Sequence, residues 1–525
     1  MPTLSWVGKD KVVNHHHDVP FRLLDKQYAF AASEGAPTNS TDNRIIHGDN
    51  LEALKSLLPE FEGKVNCIYI DPPYNTGNEG WVYNDNVNDP KIKKWLGEVV
   101  GKEGEDLSRH DKWLCMMYPR LKLLHRLLAD DGVLLISIGD DELQNLILIC
   151  NEIFGVSGHD ATFVWKSRTK PTNAGNAKFR PQKVTEYVLM YSKNKKLLFN
   201  TLSGEDNYNY PFEDDDGKYR TTTILTSNLG SYERETMRFP IADYKPQPDQ
   251  RWKAGEEVIQ DLYDNNRLQF KDGVPMQKIY ELDNESINKP LYTLIKQELS
   301  GTAEKGKTLL NKILKKGHAF DTVKPIELIE YLLEVVTSDG SIILDSFAGS
   351  GTTAHAVLKL GNNRKFILIE TMPYAETITA ERVRRVINGY GEGDRATPAL
   401  GGGFDYYTVG EPIFLDADTL NEAVGIEAIR SYVAYSEGVP EADRVPQTNP
   451  YNPHLLGLNS ETAWVFNYDP ADATSLDMDF LKTLKFGKAK PALAIIYADR
   501  CLLSKSFMSK HSIIFKKIPR DITRF

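Results

Sequence analysis

An aspartate, two prolines and a tyrosine end an apolar run early in the chain. Residues 65–70 lead directly into Asp71, Pro72, Pro73 and Tyr74. Successive prolines have fixed φ angles and lack N–H donors, so they stiffen the backbone and leave carbonyl oxygens to accept hydrogen bonds. The Asp71 carboxylate and the Pro72 carbonyl could accept both hydrogens of an amine, and Tyr74 offers a ring face. The tetrapeptide suits a planar base with an exocyclic amine, although a proline-rich β-turn capped by aspartate has the same residues.

A second group of candidate residues lies far downstream. It comprises Asp345, Phe347, Gly349, Gly351, Thr352 and Glu370. Glycines at a strand–turn–helix junction let the backbone approach a ligand closely. Glu370 ends the next apolar run, where an acid reaches ribose hydroxyls in dinucleotide-binding folds. Because the spacing also fits the fingerprint G-x-G-x-x-A, an NAD-dependent dehydrogenase is an alternative at this motif, and a plain tight turn is another.

The elements around both motifs follow an α/β pattern. Between residues 44 and 154 the sequence alternates strand, helix, strand, helix, strand and helix. Apolar runs at 341–345 and 366–370 read as further strands of the same sheet. This order predicts a doubly wound parallel sheet. Each motif then follows the carboxyl end of a strand, where ligands of open α/β sheets bind.

Taken together, the two motifs resemble those of the S-adenosylmethionine-dependent amino-methyltransferases of DNA. The order found here, with Asp71-Pro-Pro-Tyr74 first and Phe347-x-Gly349-x-Gly351 last, resembles the β class. The segments 47–51 and 71–77 look most like modification (Mod) subunits of type III restriction-modification systems. The resemblance implies a Rossmann-like methyltransferase core, an inserted target-recognition domain and a small C-terminal α/β domain. Dehydrogenase chemistry does not explain Asp-Pro-Pro-Tyr, so that alternative is disfavoured.

The resemblance also implies roles for the first motif. Asp71 and the Pro72 carbonyl would hold the target amine, and Tyr74, which follows Pro73, would stack on a base flipped out of double-stranded DNA. In the family an aspartate at this position goes mostly with adenine and a serine with cytosine. The expected acceptor is therefore N6 of adenine. Transfer to N4 of cytosine, a solitary adenine methyltransferase and a specificity subunit without activity stay as alternatives.

S-adenosylmethionine is the cofactor that the resemblance implies. Phe347, Gly349, Gly351 and Thr352 would pack around it, Glu370 would bind its ribose, and Asp345 would lie near its ribose or amino-acid part. Asp49 sits where the family contacts the adenine ring of the cofactor, and Lys324-Pro325 resembles an additional cofactor-binding motif. No metal ion is expected, since a sulfonium is already an activated methyl donor.

The pattern and the resemblance together divide the chain into five segments. They are an N-terminal lead-in (1–40), the catalytic half of the core (41–165), a target-recognition domain (166–318), the cofactor-binding half of the core (319–410) and an accessory domain (411–525). The stretch 166–196 carries nine Lys or Arg and one acidic residue. Its candidate phosphate contacts are Lys166, Arg168, Lys170, Lys178, Arg180 and Lys183. A solvated surface loop is the equal alternative.

Whole-chain composition restricts the remaining possibilities. A net charge of −10 excludes a uniformly basic nucleic-acid binder but leaves room for local basic patches. The four cysteines are not at C-x-x-C spacing, which argues against a disulfide framework. No apolar run reaches the roughly 18 residues of a membrane span. We therefore expect a cytoplasmic bacterial protein whose partners are double-stranded DNA, a second copy of itself and, as a possibility, a helicase-nuclease restriction subunit.

Overall fold

The computed structural model describes residues 3–76, 105–170, 181–193, 199–200, 202–203, 209–230, 233–281, 288–289, 291–315, 317–318, 320, 322–415, 419–449, 452–519 and 521–522. It divides into two compact units by their internal contacts. The larger combines Met1–Asn200 with Tyr292–Phe525, and the smaller is Thr201–Leu291.

The elements alternate along much of the chain. The α-helices are α1 (Lys9–Val12), α2 (His15–Asp18), α3 (Asn50–Phe61), α4 (Glu105–Leu127), α5 (Leu143–Phe154), α6 (Glu256–Asp264), α7 (Gln297–Ser300), α8 (Ala303–Leu314), α9 (Ile326–Val336), α10 (Thr352–Leu360), α11 (Glu381–Asn388), α12 (Ile426–Ser436), α13 (Met478–Thr483) and α14 (Lys505–Lys510). The strands are β1 (Arg22–Ala31), β2 (Arg44–His47), β3 (Val65–Ile70), β4 (Leu128–Ile138), β5 (His159–Trp165), β6 (Glu186–Ser192), β7 (Leu202–Ser203), β8 (Phe212–Asp214), β9 (Gly217–Thr223), β10 (Leu225–Ser227), β11 (Gln250–Trp252), β12 (Leu268–Lys271), β13 (Val274–Tyr280), β14 (Asn288–Lys289), β15 (Leu294–Ile295), β16 (Ile342–Asp345), β17 (Lys365–Glu370), β18 (Gly403–Pro412), β19 (Leu455–Leu458), β20 (Thr462–Phe466), β21 (Ser475–Leu476), β22 (Leu493–Ala498), β23 (Arg500–Cys501) and β24 (Ile513–Lys517).

A ten-stranded sheet forms the centre of the larger unit. Its strand order is β1-β18-β2-β17-β16-β3-β4-β6-β5-β15. The six strands from β18 to β4 pair in parallel, while β1 and β6 pair antiparallel with their neighbours. The predicted doubly wound α/β core is confirmed.

The winding of this sheet reverses between β16 and β3. The chain passes from β3 to β4 on one side of this point and from β16 to β17 on the other. Since such crossovers are right-handed, the helices α3 and α4 cover one face and α10 covers the opposite face. Strands β3 and β16 are direct neighbours, with Leu344 opposite Ile68. Their carboxyl ends thus border the crevice where doubly wound sheets bind ligands.

Burial explains why these strands form where the sequence predicts them. Cys67, Ile68 and Ile70 of β3 are fully buried, as are Ile343 and Leu344 of β16. Strands covered on both faces read as continuous apolar runs, which is the pattern that marked them in the sequence. The helices α3, α4 and α5 contribute their apolar sides to the same core.

The N-terminal residues add a strand that the sequence pattern did not predict. Strand β1 pairs antiparallel with β18 along Gly403–Pro412 and forms one edge of the sheet. Its middle residues Asp25, Lys26 and Gln27 are exposed, which is common on edge strands because charged side chains discourage further pairing. The strand therefore lacks the apolar alternation that would have marked it.

The C-terminal part of the larger unit contains a second sheet, in the order β19-β20-β22-β24, with α12, α13 and α14. Trp464 and Phe466 of β20 join one apolar cluster, and Ala463 and Val465 join another. Alternate residues of the strand thus face opposite sides, as a two-sided sheet requires. The C-terminal residues thus combine helices and strands within the larger unit.

The smaller unit, Thr201–Leu291, is built mainly from hairpins. Strands β8, β9, β13 and β12 form an antiparallel sheet, and β10 pairs with β11. Trp252 is fully buried in its core beside Ile259 of α6. Among the described residues of the whole chain, no helix is long and apolar enough to cross a membrane.

Candidate active site

Asp71 stands at the end of β3 and forms an ion pair with Lys324. The Lys324 ammonium donates to both carboxylate oxygens of Asp71, each at 2.8 Å. A second carboxylate, Glu186 at the start of β6, lies 3.5 Å from the same ammonium. The sequence placed Lys324 with the cofactor, and its side chain reaches the predicted acceptor site.

The neighbouring charges alter the protonation of Asp71 and Lys324. Burial raises the pKa of Asp71, and Glu186 adds to the rise, while the Lys324 ammonium opposes it. Burial alone would lower the pKa of Lys324, but the two carboxylates raise it above its usual value. The lysine therefore stays charged, and its charge favours the ionised form of Asp71.

Tyr74 is held by contacts on several sides. Its hydroxyl donates to Glu186 at 2.9 Å, and the Lys324 ammonium lies 4.8 Å from the ring centroid. Gly139, just after β4, lets the ring come close, because a Cβ there would lie 3.0 Å from the ring carbon Cδ2. The aromatic side chain is thus fixed in orientation beside Asp71.

Buried hydrogen bonds hold Asn75, the residue that follows the tetrapeptide. Asn75 has a φ of 56°, a left-handed conformation that is uncommon outside glycine. Its side-chain amide donates to the fully buried Glu142, which also pairs with His110 Nδ1 at 2.5 Å. Trp113 Nε1 donates to the Pro73 carbonyl at 2.7 Å. With the Pro73 carbonyl engaged, the Pro72 carbonyl is the better candidate for the target amine.

These supporting residues were missed in the sequence. No local pattern in the sequence singles out Glu142, Trp113 or Glu186. Their partners lie far away along the chain: 67 residues separate Glu142 from Asn75, and 112 separate Glu186 from Tyr74. The one available signal was Asn75, because asparagine directly after a rigid turn often adopts the left-handed region.

Asp345 supports the loop that follows β16. Its carboxylate accepts from the Phe347 backbone N–H at 3.0 Å and from the Thr353 hydroxyl at 2.5 Å. The side chain is buried, and burial raises its pKa to about 7. The aspartate therefore links the start of the loop to the first turn of α10.

Glu370 closes the same loop from the end of β17. Its two oxygens accept from the backbone N–H groups of Gly349 at 2.7 Å and Met372 at 2.9 Å. Burial raises its pKa to about 7. Gly349 and Gly351 have φ angles of 52° and 76°, so both positions favour glycine. Hydrogen bonds to neighbouring residues thus hold the loop beside the crevice.

Thr352 and Asp49 also serve as supports. The Thr352 hydroxyl accepts from the fully buried Arg382 at 2.8 Å. The Asp49 carboxylate accepts from the backbone N–H of Leu51 at 2.8 Å and caps α3. Asn50 beside it donates to the Ser346 carbonyl at 3.0 Å. The end of β2 is thereby tied to the glycine loop.

Two hydroxyl groups at the loop fit a polar ligand. Ser346 Oγ and Thr371 Oγ1 directly follow β16 and β17, and both atoms are buried without a hydrogen-bond partner among the residues described. Buried polar atoms are nearly always satisfied in native proteins, so a ligand with hydroxyl and amino groups would complete this region. S-adenosylmethionine carries both kinds of group, and the residues present are compatible with it.

The predicted basic contacts are placed unevenly. Arg168 and Lys183 line a cavity of about 360 Å³ together with Tyr74 and Glu186. Lys183 also pairs with Asp140 at 3.1 Å. Lys166 and Lys170 are exposed. Lys178 and Arg180 lie outside the described residues.

Comparison with known proteins shows the family. The model of the DNA methylase family, which covers N6 and N4 methyltransferases, matches residues 65–381. This is more than half of the chain and includes both motifs. The chain belongs to this family of amino-methyltransferases.

Relatives narrow the resemblance further. The type III restriction-modification enzyme StyLTI Mod subunit of Salmonella typhimurium (strain LT2) is 30% identical, over 86% of this chain and 74% of its own. The EcoPI Mod subunit of Escherichia phage P1 is 31% identical, over 70% of this chain and 63% of its own. The match thus spans less than two thirds of the EcoPI subunit. The type II methyltransferase M.KpnI of Klebsiella pneumoniae is 29% identical, over 64% of this chain and 82% of its own.

Proposed function

We propose that this protein transfers a methyl group from S-adenosylmethionine to N6 of adenine in double-stranded DNA. The observation that carries the proposal is the meeting of Asp71 and the glycine loop at the ends of the adjacent strands β3 and β16. A base amine at Asp71 and a methyl donor at the loop would then lie in one crevice. An aspartate at this position favours adenine within the family.

The acceptor site would orient the amine of the base. The amine lone pair is conjugated into the ring and is a poor nucleophile. Asp71 and the Pro72 carbonyl would each accept one of the amine hydrogens, which favours a tetrahedral nitrogen with its lone pair directed away from them. The ionised Asp71 also stabilises the positive charge that develops on N6, which then passes one proton to the Asp71 carboxylate or to water. Alignment of this kind can lower a barrier by about 7–11 kcal/mol.

Tyr74 would receive the base after it leaves the duplex. Extrusion costs a few kcal/mol of stacking and pairing. A base stacked on an aromatic ring returns roughly 1–3 kcal/mol of that cost. Because the Tyr74 hydroxyl is fixed by Glu186, its ring needs little ordering when the base arrives.

The cofactor would lie along the glycine loop. When bound, S-adenosylmethionine supplies a methyl group on a positively charged sulfur. We propose that Phe347, Gly349, Gly351 and Thr352 shape its pocket, that Glu370 and Asp345 accept from its hydroxyl or amino groups, and that Asp49 and Pro325 border it. Lys324 would stand at the boundary between the cofactor and the acceptor base. The Ser346 and Thr371 hydroxyls, which find no hydrogen-bond partner in the described part of the chain, support this arrangement.

We further propose that the protein is the modification and recognition subunit of a type III restriction-modification system. The support is its similarity to Mod subunits over most of the chain. Residues 166–318 would then recognise the target sequence, with Arg168 and Lys183 on DNA phosphates. The accessory domain 411–525 would serve assembly with a second copy or with a helicase-nuclease restriction subunit. Such an enzyme would act on the DNA of the bacterial cytoplasm.

One experiment tests the reaction. The protein is incubated with tritium-labelled S-adenosylmethionine and unmethylated bacterial genomic DNA, and the labelled nucleoside is identified after digestion. Label in N6-methyladenine is the expected result. Label in N4-methylcytosine would show that the acceptor is N4 of cytosine. Bound DNA without label would indicate a specificity subunit. Sequencing of the methylated DNA then gives the recognised site.

A further inference from the structure

The Lys324 ammonium makes the contacts that the proposed mechanism gives to the target amine. It donates to both Asp71 carboxylate oxygens at 2.8 Å and lies 4.8 Å from the centroid of the Tyr74 ring. A base stacked on Tyr74 with its amine at Asp71 would need much of the same space. The lysine must therefore withdraw from the carboxylate before the base can bind.

Glu186 is placed to receive the withdrawn ammonium. Its carboxylate is already 3.5 Å from Lys324 Nζ, close enough for a rotation of the lysine side chain to complete the contact. It also accepts from the Tyr74 hydroxyl at 2.9 Å. We propose that Lys324 and Glu186 are positioning residues, and that Lys324 holds Asp71 in the free enzyme and passes to Glu186 when the adenine enters. This inference rests on the proposed methyl transfer.

The backbone at both residues allows the Lys324 side chain to change partners without a change of fold. Glu186 opens β6 and is held in register opposite Trp165 of β5, a fully buried residue. Lys324 precedes Pro325, which caps α9. The backbone of both residues is thus fixed, and only the flexible lysine side chain has to move.

The movement of Lys324 from Asp71 to Glu186 would change the charge around Asp71 at the moment of reaction. The groups that face its carboxylate are Lys324, Glu186, Tyr74, Tyr69 and Asp345. Lys324 is the cation in this set, and the Glu186 carboxylate opposes ionisation of Asp71, while a hydrogen bond from Tyr74 favours it. With the ammonium at Glu186, the negative charge of Asp71 is no longer neutralised by the lysine. The carboxylate then interacts more strongly with the positive charge developing on N6.

The pH dependence of methyl transfer distinguishes this role from a structural one. Rates are measured under single-turnover conditions on a duplex containing the recognised site, from pH 5.5 to 8.5. The rate at low DNA reports groups in the free enzyme, and the rate at saturating DNA reports groups in the complex. The acidic limb is the part of each pH profile over which the rate rises as Asp71 loses its proton. In the wild type we expect this limb to lie at higher pH at saturating DNA than at low DNA, because the lysine has left Asp71 in the complex.

Removal of the lysine charge should abolish that difference. In Lys324→Met the low-DNA limb should move up by about 1–3 pH units, the usual effect of losing an opposite charge at this distance. Lys324→Arg should restore part of the separation. Glu186→Gln should lower the saturated rate about ten- to hundredfold, the scale of a lost charge-assisted contact. Its low-DNA limb should move to lower pH, because Glu186 raises the pKa of Asp71 in the free enzyme.

Lys359→Met serves as the matched control. Lys359 forms an ion pair with Glu330 between α10 and α9, away from the carboxylate cluster, so this variant should keep both wild-type limbs. A low-DNA limb in Lys324→Met that coincides with the wild type would overturn the transfer from Asp71 to Glu186. Wild-type protein that labels no adenine would instead refute the proposed function itself, and the inference with it.

Discussion

The acceptor site at β3 and the glycine loop at β16 are neighbours in the sheet but are held in different ways. The carboxylates of the loop, Asp345 and Glu370, accept hydrogen bonds from groups within about 21 residues, mostly backbone N–H groups. The carboxylate of the acceptor site, Asp71, is held by Lys324, 253 residues away. One site is completed locally, and the other by charges from distant segments.

This difference follows from what each site has to do. A loop that binds a cofactor gains from preorganisation, because little order is then lost on binding. An acceptor site for an extruded base must exchange partners when the base arrives, and an ion pair with a flexible lysine can be exchanged. Substitutions in the two regions should therefore have separable effects, on cofactor binding in one and on methyl transfer in the other.

The largest expected effect comes from removing the Asp71 charge. Asp71→Asn keeps the shape and one acceptor but loses the charge opposite the developing positive nitrogen. We expect the single-turnover rate of methyl transfer to fall by about 10³-fold, the upper range for one electrostatic contact at a reacting centre. A rate within tenfold of the wild type would show that the carboxylate charge is not used.

Replacing the Tyr74 ring should have the next largest effect. Tyr74→Ala loses the stacking surface, so methyl transfer at low DNA should fall about 5–150-fold, corresponding to 1–3 kcal/mol. Tyr74→Phe keeps the ring, and we expect it to retain substantial activity despite the lost bond to Glu186. Rates for both variants are measured on one duplex. Equal losses would assign the role to the hydroxyl.

A methyl group at Gly351 should affect the cofactor loop alone. The left-handed backbone there costs roughly 1–2 kcal/mol for alanine. The new Cβ would also lie 3.2 Å from the Thr379 carbonyl oxygen. We expect Gly351→Ala to weaken S-adenosylmethionine about tenfold in calorimetry, equal to about 1.4 kcal/mol.

Gly361 provides the control for this substitution. It has a similar φ of 61°, but among the described atoms none lies within 4 Å of its ideal Cβ. With a ψ of −138°, Gly361 lies in a region open essentially only to glycine, so Gly361→Ala should carry at least as much backbone strain as Gly351→Ala without disturbing the cofactor loop. Equal weakening of the cofactor in both variants would mean that general destabilisation, and not the loop, is responsible.

The smallest expected effect is a pH dependence of stability. The folded protein raises the pKa of Glu370 to about 7, against about 4.3 in an unfolded chain. The native state thus binds the extra proton between these values, and the stabilisation is lost as pH rises from about 4 to 7. Glu370→Gln cannot titrate, so its Tm should fall less than that of the wild type between pH 5 and 7.5, by about 2 °C.

The sign of this difference is the test. Calorimetric scans of both proteins are recorded at several pH values. The difference between their Tm values at each pH cancels the contributions of the other titrating groups. A wild-type Tm that rises relative to Glu370→Gln over the same interval would mean that Glu370 is ionised more easily in the folded state. The overall Tm of the variant should be lower, because its amide cannot accept from both Gly349 and Met372.

The sequence predicted the parts of this architecture whose signals are local. Asp71-Pro-Pro-Tyr74 and the glycine loop are contiguous motifs, and the strands before them are continuous apolar runs because both of their faces are covered. The alternation of strands and helices was sufficient for the doubly wound fold. These features depend on residues that are close along the chain.

The missed features depend on contacts between distant residues or on exposed strands. The pairing of Lys324 with Asp71 and the contact of Glu186 with Tyr74 join separate segments, and no local pattern marks them. Strand β1 has an exposed, charged middle and was read as part of a lead-in. Glu142 supports Asn75 from the start of another helix. Tertiary structure was needed for each.

The central claim is that the acceptor and cofactor sites are separable, and binding of S-adenosylmethionine to Asp71→Ala tests it most directly. Titration calorimetry on this variant and on the wild type, without DNA, gives the two dissociation constants. We expect them to agree within about threefold, or 0.7 kcal/mol, while the variant transfers no methyl group. A cofactor affinity reduced by tenfold or more would show that Asp71 helps to build the cofactor site, and would contradict the separation.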